Sequence, residues 1–127
     1  MSGMTQTGTG SGELTPLVLL TGDEQLLVDR AISRATAAAR RIEAGAERRD
    51  GMAAGLTVGE FSDLVAPSLF AEPRVVVIRG SHEAGKDLAA ALIGYTKDPV
   101  EGVWLVVQHA GGARNKAIGE ALTKAGA

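Results

Sequence analysis

Cysteine is absent from this 127-residue chain, which excludes disulfides, thiolate metal sites and a cysteine nucleophile. Aromatic residues are almost absent too: Phe61, Phe70, Tyr95 and Trp104 are the whole set, so a core must be built from Val, Leu, Ile and Ala. The two histidines, His82 and His109, stand far apart in the chain without ligand-like spacing, and no metal site is expected from them. There is no excess of positive charge. A net charge of −2 gives no global reason to expect nucleic-acid binding, which usually shows as a basic domain. No apolar run approaches the ~20 residues of a membrane span. The start lacks the basic-then-apolar pattern of a signal peptide. The expectation is a cytoplasmic protein with no membrane partner. Its 45% apolar and 22% charged residues suit one soluble globular domain.

Residues 1–16 are Gly, Ser and Thr with hardly an apolar side chain, too little to offset the entropy of ordering, and read as a disordered tail. Residues 17–127 read as one α/β unit. Leu17-Val18-Leu19-Leu20 is a buried strand. After Thr21-Gly22-Asp23 comes the strongest helical periodicity in the chain. Leu27, Val28, Ala31, Ile32, Ala35, Ala38, Ala39 and Ile42 form its apolar face. Arg30, Arg34 and Arg41 lie opposite. That stripe could meet phosphate, but Asp29, Glu43 and Glu47 dilute it, and a solvated face is favoured. Glu47 to Ala53 is either a short edge strand or a loop. Thr57-Val58-Gly59-Glu60 is a capping box opening a helix with Phe61, Leu64 and Val65 inward, stopped by Pro67. Strands at Arg74 to Arg79 and Val103 to Val107 alternate with helices carrying Leu88, Ala91, Leu92 and Tyr95, then Ala117, Ile118, Ala121 and Leu122. Buried strands alternating with helices predict a parallel sheet flanked by helices.

Gly80-Ser81-His82-Glu83-Ala84-Gly85-Lys86-Asp87 meets the phosphate-loop pattern G-x-x-x-x-G-K-[ST] at all positions but the last. There Asp87 replaces the hydroxyl that ligates magnesium, and Glu83 adds a second negative charge. The strand that should end in an acid runs into Gln108 and His109 instead. Gly80, Gly85 and Lys86 are therefore a degenerate nucleotide-binding candidate. A small P-loop-like NTPase using Lys86 is the alternative reading. The turn after the first strand, Gly22-Asp23-Glu24-Gln25, has no lysine. Ser68 and Ser81 lack nucleophile surroundings, no carboxylate pair stands out, and no catalytic residue or cofactor is expected. Gly111-Gly112-Ala113-Arg114-Asn115-Lys116 places two cations at a helix start, where an anion contact and a plain exposed turn both remain open, the turn favoured.

Pro67-Ser68-Leu69-Phe70-Ala71-Glu72-Pro73 leads straight into Arg74-Val75-Val76-Val77-Ile78. Leu69 and Phe70 lie between two prolines, in a segment that is neither helix nor inner strand. Such a pair either plugs its own core or fits a partner's pocket, and the residues alone favour the plug.

Leu17 to Glu24 with Leu27 resembles the "l-l-x-G-x-E-x-x-L" opening of the delta subunit of bacterial DNA polymerase III, part of its clamp loader. Pro67 to Ile78 resembles that family's "sLF-x-x-x-r-v-v-v-v" signature. Gly102 to Val107 matches the next strand, and Ala113-Arg114-Asn115-Lys116 a segment that commonly carries a lysine. The resemblance covers about Leu17 to Ala127. It implies an AAA+/P-loop-like parallel sheet without a working ATP site, and a Leu-Phe pair, here Leu69 and Phe70, inserted into a pocket of the ring-shaped sliding clamp (the beta subunit). It implies further partnership with other clamp-loader subunits and with DNA through the complex, and membership of a DNA-directed DNA polymerase holoenzyme. The clamp role requires Leu69 and Phe70 to be exposed. The family continues through a small helical domain and a collar domain that have no counterpart here. An incomplete AAA+-like N-terminal domain is thus expected, with an open strand edge prone to aggregation.

Overall fold

The computed structural model describes residues 14–67, 70 and 72–127. The chain alternates strand and helix: β1 Leu17–Thr21, α1 Gln25–Ile42, β2 Glu47–Met52, α2 Val58–Val65, β3 Arg74–Arg79, α3 Lys86–Tyr95, β4 Val103–His109 and α4 Lys116–Lys124, with a 3₁₀ turn at Ser81–Glu83. The four strands form one parallel sheet in the order β1-β4-β3-β2. The expected α/β layering is observed. The undecided stretch after Glu47 is an edge strand, its register set by pairs from Glu47–Arg74 to Met52–Arg79.

The central strands are apolar because both faces are covered. Val75, Val76, Val77 and Ile78 are fully buried, as are Leu105, Val106 and Val107. Side chains alternate across a strand. Val75, Val77 and Val106 therefore meet α1 through Val28, Ala31, Ile32, Ala35 and Ala39. Val76, Ile78, Leu105 and Val107 meet α2, α3 and α4 through Phe61, Val65, Leu88, Leu92, Ile118 and Leu122. Phe61 and Tyr95 cross edge to face with centroids 5.8 Å apart, an arrangement that adds to simple burial.

The apolar stripe of α1 is narrower than its periodicity suggests. Leu27 and Ile42, expected inward, are 51% and 48% exposed. Leu27 lies about 110° around the helix from the centre of the buried stripe, and Ile42 is the last residue of α1, past Ala39, the last buried position. Glu24 caps α1, its carboxylate accepting from Leu26 N at 3.0 Å and Leu27 N at 3.4 Å. The capping box of α2 is present in both directions, Glu60 N to Thr57 Oγ1 at 3.0 Å and Thr57 N to Glu60 Oε1 at 2.9 Å.

Of the segment expected to be a tail, residues 1–13 lie outside the described residues. Leu14 packs against the α1 side of the core, and Pro16 O accepts from Leu105 N at 2.9 Å. No helix among the described residues is long and apolar enough to cross a membrane.

Candidate functional site

A parallel sheet gathers every loop that follows a strand at one end and every loop that precedes one at the other. Six residues of β3, about 20 Å at ~3.3 Å each, therefore separate two candidate sites. The turn with Phe70 precedes β3, and the Gly80–Lys86 segment follows it.

Phe70 is 82% exposed. The plug expectation is overturned for this residue: the chain leaves α2 at Ala66 in an extended conformation, and the core there is filled by Phe61 and Val65. Leu69 lies outside the described residues. The stems of the turn are fastened. Arg74, 8% exposed, donates from Nη1 to Leu64 O at 2.7 Å and to Ala66 O at 3.0 Å. These carbonyls end α2 and have no partner further along the helix. Across the turn, Pro73 O accepts from Glu47 N at 3.1 Å, and Arg74 N donates to Gly102 O at 2.9 Å. The described residues on both sides of the Phe70 segment are thus fastened to α2 and to the sheet.

At the other end of β3, Gly80 adopts φ 72° and starts the 3₁₀ turn. A phosphate loop turns its N–H groups toward an anion. Here the carbonyls of Ser81, His82 and Ala84 all accept from Asn115 Nδ2, at 3.3, 3.0 and 2.9 Å. Asn115 reaches them from a left-handed conformation, φ 53°, at the cap of α4. Gly85 caps α3, and Lys86 opens that helix with its side chain exposed. Gln108, buried at the end of β4, joins the neighbouring strand ends. Its Nε2 donates to Gly22 O at 2.6 Å and its Oε1 accepts from Gly80 N at 2.6 Å.

A cavity of about 590 Å³ opens over these strand ends, lined in part by Asp23, Asp29, Arg79, His82, Glu83 and Gln108. Its charge is mostly negative, and its one arginine is taken: Arg79 Nη1 lies 2.6 Å from Asp29 Oδ1. Triphosphate would meet unpaired carboxylates there.

The histidines, remote in sequence, meet in space, their ring centroids 5.6 Å apart. His109 accepts at Nδ1 from Gly111 N and bonds through Nε2 to Arg114 O, both at 2.9 Å. With Gly111 N donating to Nδ1, Nε2 is the ring nitrogen that donates to Arg114 O. His82 Nδ1 accepts from Ala110 N at 3.3 Å. The pair ties loops together, and no group of three metal-ligating side chains occurs among the described residues. The two cations expected at the start of α4 separate: Arg114 is exposed, and Lys116 lies 3.7 Å from Glu120.

Sequence reading missed Asn115, Gln108 and the role of Arg74. Asn115 alone carried a signal, since asparagine next to a Gly-Gly turn tolerates a left-handed backbone.

No protein-family model matches the sequence, and no curated protein does. Solved structures do match. The Bacillus subtilis DNA clamp loader delta protein aligns with a TM-score of 0.65 at 18% identity, over 90% of this chain and 37% of that one. A DNA polymerase III gamma subunit-related protein from Thermotoga maritima aligns with a TM-score of 0.52 at 10% identity, over 77% of this chain and 35% of that one. The chain spans little more than a third of either protein. Its four-stranded parallel α/β fold is shared with part of each of these two proteins.

Proposed function

We propose that this chain is the clamp-binding part of a delta subunit of a bacterial clamp loader, acting in the cytoplasm within the DNA polymerase III holoenzyme. It contributes binding rather than catalysis. Leu69 and Phe70 enter an apolar pocket on the sliding clamp and favour the opened ring. The observation that carries this reading is the exposure of Phe70 on a braced turn, in a fold shared with a clamp loader delta protein. A single exposed apolar side chain is ordinary on a protein surface; what supports the reading is the place of Phe70 between the fastened ends of α2 and β3. Burying two such side chains contributes roughly 1.5–3 kcal/mol each, enough to shift a ring interface toward the state that offers the pocket. The other loader subunits, and DNA through the complex, are partners in the same proposal.

The test is titration of the source organism's sliding clamp against the chain and its Leu69→Ala/Phe70→Ala variant. Affinity lower by roughly 3 kcal/mol or more in the variant, with folding unchanged, is the expected result. A folded wild-type chain that does not bind the clamp would remove the proposal.

A further inference from the structure

Residues 30–49 hold six arginines and two glutamates, a positive excess of four inside a chain of net charge −2. The structure pairs two of the three acids that should dilute this stretch, Asp29 and Glu47, with cations. Asp29 is bound to Arg79 at 2.6 Å, Asp50 to Arg48 at 2.8 Å, and Glu47 lies 3.3 Å from Arg49. Arg30, Arg34, Arg40 and Arg41 make no ion pair among the described residues, and all four are exposed. Of the nearby acids, Glu43 alone is left without a cation.

These side chains share one surface. At 100° per residue, Arg30, Arg34 and Arg41 fall within about 40° of one another on the outward side of α1 and span about 16 Å along it. Beside them a groove of about 450 Å³ lies between α1 and β2, lined by Ser33, Thr36, Ala37, Arg40, Arg41 and Arg48. Arg40 is held at its mouth by Nε, which donates to Ala46 O at 3.1 Å. That leaves the Nη groups for a ligand. The helix dipole accounts for cations in the last turn of a helix, hence for Arg40 and Arg41, but not for Arg30 and Arg34 in its middle.

We infer that the α1–β2 groove and the arginine row beside it bind the phosphate backbone of a nucleic acid. Planar guanidinium groups suit bidentate contact with phosphate. A row of about 16 Å passes about five phosphates of one DNA strand. The surface is independent of the Phe70 turn.

The test is fluorescence anisotropy of a labelled 20-mer, single-stranded and duplex, against the full chain. Binding at 50 mM salt should weaken about a hundred-fold by 200 mM, the slope for about four released counterions. Arg34→Glu/Arg41→Glu should abolish it, and Arg34→Lys/Arg41→Lys should retain most of it, with unchanged circular dichroism. Lys97→Glu/Lys124→Glu makes the same change in net charge elsewhere and should bind far better than the arginine reversal. The inference is overturned if wild type shows no saturable binding at low salt, or if the two charge reversals weaken it equally. It is also overturned if polyglutamate competes as well as DNA, which would mark an acidic protein as the ligand.

Discussion

Arg74 Nη1 lies 3.0 Å from Ala66 O, so the residue that begins β3 holds the residue that ends α2. The turn between them carries Phe70. Arg74→Met keeps the stem's apolar contacts and removes both bonds. Hydrogen bonds to a charged group are worth about 1.5–3 kcal/mol, and urea denaturation should register a loss in that range. Under the proposed clamp contact, affinity for the clamp should fall as well, because the segment carrying Phe70 loses its anchorage to α2. Arg74→Lys, with one compact donor group, should recover part of both.

Asn115 combines a left-handed backbone with three hydrogen bonds to the turn before α3. Asn115→Gly keeps the backbone and loses the bonds. Asn115→Ala loses both and adds about 1–2 kcal/mol of left-handed strain. The alanine variant should therefore unfold at lower urea than the glycine variant. Equal midpoints would mean that the backbone relaxes.

Gln108 satisfies Gly80 N and Gly22 O at once. Gln108→Leu leaves a donor and an acceptor without partners at buried strand ends, each at about 1–3 kcal/mol. The expected loss of stability exceeds that of an isosteric Gln108→Glu change at low pH, where the protonated acid can still donate. Denaturant melts of both variants at pH 4 and pH 7 make the comparison.

Burial pushes the Tyr95 phenol above its ordinary value, and the hydrogen bond from Val100 N opposes this only in part. The folded state therefore favours the neutral phenol. Its contribution is full below the unfolded value of about 10 and is lost as pH rises through the folded value. Wild type should lose more stability than Tyr95→Phe between pH 9 and pH 11, as read from denaturation midpoints.

Asp50 titrates the other way. The Arg48 guanidinium, hydrogen-bonded to it at 2.8 Å, holds its carboxyl below the usual carboxylate range. That contribution is present at neutral pH and disappears as pH falls through the folded value. The pair is partly exposed, so Asp50→Asn should cost no more than about 1 kcal/mol at pH 7, and the cost should shrink as pH falls through the folded value of Asp50.

The alternation of buried strands with amphipathic helices was readable because parallel strands covered on both faces must be continuous apolar runs. Val75 to Ile78 and Val103 to Val107 allow little else. The capping box at Thr57 and Glu60 was equally local: its partners are three residues apart, and chain geometry brings them together. Composition also bounded the chemistry, since a chain without cysteine has no thiolate to offer.

What tertiary structure decided is whatever depends on partners distant in sequence. Leu27 and Ile42 were read onto the apolar face of α1 yet stand in solvent, because the buried stripe is narrower than the apolar one and ends at Ala39. Phe70 could have been buried or exposed, and the core holds Phe61 and Val65 while Phe70 stands in solvent. His82 meets His109, and Asn115 fills the turn that Gly80, Gly85 and Lys86 made look like a phosphate loop. The acids beside the arginine row looked like diluents in the sequence, and two of them, Asp29 and Glu47, proved to be held by Arg79 and Arg49. Periodicity and capping reflect the local chain, whereas burial and pairing depend on which surfaces the sheet brings within reach.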